Sequence, residues 1–144
     1  MQMVPTAAVS TEDQTRFVEM IFPEQANHYG TLFGGHALSL MGKAAFVAAT
    51  RRARQSVVMA ASGKIEFHEP IRVGELVELV ASVARVGRSS MTIAVDMIRE
   101  DLINGRRQSA VHGTFEMVAV NEFGRPVPIA QQTAIEEIKE EATP

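Results

Sequence analysis

The stretch Asn27-His28-Tyr29-Gly30-Thr31-Leu32-Phe33-Gly34-Gly35-His36 runs directly into an apolar segment, Ala37 to Ala49. It reads as a glycine-rich loop that opens a helix. The first N–H groups of a helix have no partner within it, and the helix dipole is positive at that end. With glycines there, no side chain blocks the approach. Such an end can hold an anion or polarise a carbonyl oxygen. Seven residues beyond Gly35, where a reactive side chain would be useful, stands Gly42. A glycine inside a helix costs about 1 kcal/mol relative to alanine. It marks either close packing or a position from which a side chain has gone.

Working outward, the segment from His36 to Thr50 is apolar nearly all round. That pattern predicts a helix buried within the fold. His36, Ser39, Lys43 and Thr50 form its one polar stripe, and Arg51, Arg52 and Arg54 complement its C-terminal dipole end. Upstream, Arg16 to Phe22 reads as a strand ended by Pro23. Downstream, Val57 to His68 reads as one long strand, with Lys64, Glu66 and His68 on one face and Ile65 and Phe67 on the other. Strands over Glu75 to Val86, Ser89 to Arg99 and Arg107 to Val120 follow. They are punctuated by Gly87-Arg88 and by the hairpin signal Asn104-Gly105. The fold class expected is α+β, a long antiparallel sheet wrapped around one central buried helix. One sheet with one helix leaves edges and apolar faces uncovered, so a homo-oligomer is expected, a dimer at least.

A chain of 144 residues suits one domain. Residues 13–128 form the expected folded unit. Residues 1–12 read as a flexible tail, and residues 129–144 as an acidic tail of composition compatible with a helix. The net charge of −3 gives no electrostatic case for nucleic acid as a partner. With no cysteine, disulfides and thiolate metal sites are excluded. The first residues lack the basic start and apolar run of a signal peptide, and the longest apolar stretch is too short to span a bilayer. A cytoplasmic protein without a membrane partner is the expectation.

Several pieces in fixed order carry a family resemblance. They are Pro23 and Asn27, then Gly30-x-x-Phe33-Gly34-Gly35, then Phe67-x-x-Pro70-Ile71-x-Val73-Gly74-Glu75. Val86-Gly87-Arg88-Ser89-Ser90, Phe115-x-x-Val118-Ala119-Val120 and Gly124-Arg125-Pro126 complete the set. In this order the chain resembles the hotdog-fold acyl-CoA thioesterases, small bacterial and cytosolic animal enzymes alike, over roughly residues 15–128. The resemblance implies hydrolysis of acyl-CoA to free acid and CoA, between subunits of a dimer or of a trimer of dimers. It implies no cofactor beyond CoA as part of the substrate.

Thioester hydrolysis needs a polarised carbonyl, a positioned water and a base for that water. The N–H groups near Gly34 and Gly35 suit the first task. By resemblance, Asn27 orients the water or the thioester. The family usually carries its aspartate one position after the residue matched by Met41, and that position here is Gly42. Losing a general base typically costs ~10²–10⁴ in rate, so impaired hydrolysis is the expectation. A non-catalytic acyl-CoA binding or sensing protein is the alternative. Gly87, Arg88, Ser89 and Ser90 offer donors and charge to the CoA phosphates, with Arg85, Arg106 and Arg107 as weaker candidates. Phe33, Met41, Phe46, Met59 and Phe67 line an acyl tunnel or fill the core. Glu66, His68 and His36 read more simply as surface groups than as a replacement base. His28 reads as a loop residue and His112 as structural. His36 and His68 alone make no metal site, so no metal is expected. A dehydratase or hydratase of the same fold would want a histidine set beside an acid, and the sequence offers no clear set.

Overall fold

A computed structural model describes residues 14–130. The expected tail at residues 1–12, and all of the expected 129–144 tail beyond residue 130, lie outside the described residues. The elements run in the order β1 (Gln14–Met20), a 3₁₀ turn (Pro23–Gln25), α1 (Gly34–Ala53), β2 (Val57–Ser62), β3 (Glu66–Phe67), β4 (Leu76–Val86), β5 (Ser90–Glu100) and β6 (Arg107–Ala119). All pairings are antiparallel, in the order β1-β4-β5-β6-β2, with β3 also paired to β6. The α+β arrangement expected from the sequence is the one observed.

Strict alternation along β4, β5 and β6 puts Val77, Leu79, Ala81, Ile93, Val95, Met97, Phe115 and Met117 on the helix side. The helix answers with Ala37, Leu40, Met41, Ala44, Ala45, Ala48, Ala49 and Ala53, all buried. Small side chains on that face let the helix lie close to the sheet. Arg54 closes α1 in the left-handed region (φ 52°), its N–H bonded to Thr50 O at 2.7 Å. Arg51 ties that end of the helix to β1 through Thr15 Oγ1 at 3.0 Å. Among the described residues no helix is long and apolar enough to cross a membrane.

Four expectations are corrected. The strand foreseen over Val57 to His68 is two strands, because a bulge between Met59 and Ala61 and the break at residues 63–65 take the chain out of the ladder. The helix starts at Gly34, so the glycine pair lies in its first turn. It is not buried all round. Leu38 and Phe46 are 40% and 47% exposed, because a single curved sheet covers only one face. The folded unit also runs past residue 128, since Ile129 is buried and its N–H bonds Arg88 O at 2.7 Å.

The face of the sheet away from the helix carries an ion network. Glu78 accepts from Arg107 at 2.6 Å and Arg16 at 3.2 Å, and Arg107 also reaches Glu100 at 2.8 Å. The Arg107 hydrogen bond, assisted by Arg16, holds the Glu78 carboxyl below the usual carboxylate range. A lowered folded-state pKa stabilises the fold above the unfolded pKa, and the contribution is lost as pH falls through the folded one. Glu78→Gln is therefore expected to cost about 0.5–1 kcal/mol at pH 7, discounted for solvent screening. That cost should shrink as pH falls below the ordinary glutamate pKa and vanish only once pH is below the lowered folded-state one, as denaturation midpoints across an acid series would show.

Candidate active site

The loop before α1 is held from both sides. Asn27 Oδ1 accepts from Tyr29 N at 3.0 Å, from Thr31 N at 3.2 Å and from Thr31 Oγ1 at 3.2 Å. Gly30 takes the positive φ (80°) that this turn requires. Leu32 N–H then bonds Ile71 O, and Phe33 N–H bonds Gln25 O. The backbone entering the helix is thus fixed by partners far apart in sequence. The Asn27 carbonyl oxygen is engaged in building the loop, which leaves the amide N–H₂ as the end with chemistry to offer.

Phe33 is the N-cap residue and has no side-chain oxygen with which to cap. The first intrahelical bond runs from Ala37 N–H to Phe33 O at 3.0 Å. The N–H groups of Gly34, Gly35 and His36 therefore have no acceptor within the helix. The Phe33 ring lies over Gly35, where a Cβ would come within 2.7 Å of it. The Phe67 ring stands 3.9 Å from the corresponding point on Gly34. Beside this helix start opens a cleft of about 250 Å³ whose lining includes Leu32, Ala37, Phe67, His68, Ile71 and Val111. Most of its lining is apolar, with His68 and Glu69 as the polar members. An acyl chain suits such a lining, and a carbonyl oxygen suits the adjacent N–H groups of Gly34 to His36, which have no acceptor among the described residues.

The other residues singled out from the sequence divide clearly. Phe67 and Phe33 border the helix start, both more than half exposed. Met41 has no exposed surface and belongs to the core. Phe46 borders a separate open groove with Thr50, Arg54, Gln55, Ser56 and Val57, toward the helix C-terminus. Gly42 faces Met59, whose Cε would lie 3.2 Å from an added Cβ. Gly87 N–H bonds Ser90 O at 2.7 Å and closes the β4–β5 hairpin, leaving the Arg88 side chain exposed. Ser90 pairs with Val118 of β6, whereas Phe67 pairs with Val111. Seven residues of strand separate the two, roughly 24 Å. Within one chain, then, the Arg88 hairpin and the helix start do not come together.

The histidines are mostly engaged. His36 Nε2 lies 3.1 Å from Gln25 Nε2, and His28 stacks on Tyr29. His112 Nδ1 lies 2.7 Å from Asp96 Oδ1, an acid–imidazole pair that the sequence did not reveal. It is made by cross-strand register between β5 and β6, sixteen residues apart. Both side chains point away from the helix, so the pair does not serve the cleft.

A sequence profile of the thioesterase superfamily matches residues 29–105. An uncharacterised acyl-CoA thioester hydrolase of Bacillus subtilis is 33% identical over 125 residues, 87% of this chain and 73% of that one. Among solved structures, an acyl-CoA hydrolase of Agrobacterium tumefaciens is 47% identical with a TM-score of 0.75, over 81% of this chain and 46% of that one. The acyl-CoA hydrolase of Staphylococcus aureus, solved with butyryl-CoA and CoA, is 25% identical with a TM-score of 0.79, over 92% and 88%. Solved variants of the staphylococcal enzyme replace one asparagine, one aspartate and one threonine by alanine. Its aspartate lies fifteen positions after the asparagine and seventeen before the threonine. Two other solved acyl-CoA thioesterases of this shape are hexameric. The chain belongs to the thioesterase superfamily, with the hotdog fold of its acyl-CoA hydrolases.

Proposed function

We propose that this chain is an acyl-CoA thioester hydrolase whose own turnover is slow. The thioester carbonyl sits against the unclaimed N–H groups of Gly34 to His36, and the acyl chain enters the cleft beside Phe67. That open helix start, flanked by an apolar cleft, is the observation that carries the reading. Asn27 stands fifteen positions before Gly42, the spacing of the asparagine and the aspartate in the staphylococcal enzyme. That spacing supports reading Gly42 as standing where the acid would be, and slow hydrolysis would follow from the missing base. CoA enters as part of the substrate, and the chemistry calls for no metal or cofactor.

The distance between the Arg88 hairpin and the helix start favours a site shared between copies. One copy supplies the cleft, and another supplies Gly87, Arg88, Ser89 and Ser90 to the CoA phosphates. β2 is one of the two edge strands of the sheet, beside β1, and with Val58 and Met59 nearly half exposed it offers an edge for pairing. The unit is then a dimer at least, and a trimer of dimers is the larger assembly this fits.

Titration of the purified chain with a panel of acyl-CoAs tests the reading. Binding tighter than that of free CoA is expected, with turnover well below the median enzyme value of about 10 s⁻¹. A chain that binds no acyl-CoA sinks the assignment, and one that hydrolyses at ordinary rates sinks the role given to Gly42.

A further inference from the structure

Gly42 is not the only departure at this point of the fold. Seventeen positions beyond it, at the spacing that separates the aspartate from the threonine in the staphylococcal hydrolase, stands Met59. The structure independently brings these two positions together. The Met59 methyl group is the atom that a Cβ on Gly42 would meet, at 3.2 Å. Met59 is the third residue of β2, immediately before the bulge that shifts the β2–β6 register. Bulges of this kind re-aim side chains and are frequent beside active sites.

We propose that Gly42 and Met59 are a matched pair, in which a thioether fills the space left by the missing carboxylate and removes the hydroxyl that would serve it. This rests on the function proposed above and names what sets its rate. A carboxylate at position 42 alone would point at an apolar methyl group and lose the hydrogen-bond donor that a threonine hydroxyl provides. It would also be partly covered by Met59, and desolvation disfavours its charged form. The reaction needs that charged form. The carboxylate takes a proton from water while the water oxygen bonds the thioester carbon. The C–S bond then breaks, and the CoA sulfur leaves and takes up the proton. Met59 is therefore a positioning residue. It acts on the reaction through the place of the base.

A double-mutant cycle separates this from the loss of an acid alone. In kcat, Gly42→Asp and Met59→Thr are each expected to fall at least tenfold short of the double variant. The double variant is expected to rise about 10²-fold, the lower end of a general-base contribution. Its kcat/KM should gain an acid limb in the carboxylate range that the parent lacks. If Gly42→Asp melts lower than the parent, the double variant should recover, since the crowding methyl group has gone. Gly42→Asp with Met59→Ala, which opens the space without a hydroxyl, should gain less than the threonine double. The proposal is overturned if Gly42→Asp alone matches the double variant. It is equally overturned if neither double is faster than the parent while both bind acyl-CoA as the parent does. Absence of acyl-CoA binding by the parent is a separate result, and it would sink the functional reading beneath the proposal.

Discussion

Gly35→Ala is expected to weaken acyl-CoA binding and residual hydrolysis by about 10²-fold while leaving the melting temperature within a few degrees of the parent. The two effects part because they come from different physics. Within a helix, alanine is favoured over glycine by about 1 kcal/mol, so the backbone does not suffer. The added Cβ would lie 2.7 Å from the Phe33 ring. That ring is more than half exposed, so it is the group expected to give way, and it does so beside the helix start that it borders. The loss then falls on the N–H groups of Gly34 to His36, where removal of one oxyanion donor typically costs ~10²–10³ in rate. Gly34→Ala is the internal comparison. Its Cβ meets only an ordinary contact, 3.9 Å from Phe67, and the effect should be much smaller. Calorimetric titration beside a thermal melt checks both. Unchanged affinity in Gly35→Ala would remove the helix start from the site, and a large fall in melting temperature would give Gly35 a structural role instead.

The parts of this molecule legible in the sequence are those governed by local rules. Alternation marked β4, β5 and β6, and the glycine loop marked the start of α1. What stayed hidden depends on register and on rotation. Asp96 meets His112 only because β5 and β6 pair as they do. Met59 meets Gly42 only because α1 turns that face toward β2. The bulge after Met59 and the break at residues 63–65 leave little trace in a run of small and apolar residues such as Val57-Val58-Met59-Ala60-Ala61-Ser62. Pro126 and Pro128 read as an exit from the fold, whereas the chain turns back along β6 and buries Ile129. The helix misled in a different way. Counting apolar residues treats alanine like leucine, but alanine marks how near a neighbour lies. Burial follows the alanine face, and the bulkier Leu38 and Phe46 lie on the uncovered side.

That alanine face yields the largest stability effect expected here. Ala44, Ala45, Ala48 and Ala49 have no exposed surface, and the helix packs on β4 and β5, where Leu79, Ile93 and Val95 are equally enclosed. Large residues on the sheet and small ones on the helix fill one layer between them. In Ala48→Leu the added atoms must displace close-packed strand side chains or lift the helix away. Overpacking typically costs 1–3 kcal/mol. A site enclosed on every side belongs at the upper end, so about 3 kcal/mol is expected. For a domain of this size that corresponds to a fall of roughly 10 °C in melting temperature. It is a large share of the 5–15 kcal/mol by which such domains are stable. The denaturant midpoint should fall with an unchanged slope, since the surface exposed on unfolding stays the same. Phe46→Ala, on the uncovered face, should barely move the melting of a lone chain. If Ala48→Leu melts within two or three degrees of the parent (about one kcal/mol at this size), the helix does not lie against the sheet as closely as its alanines indicate.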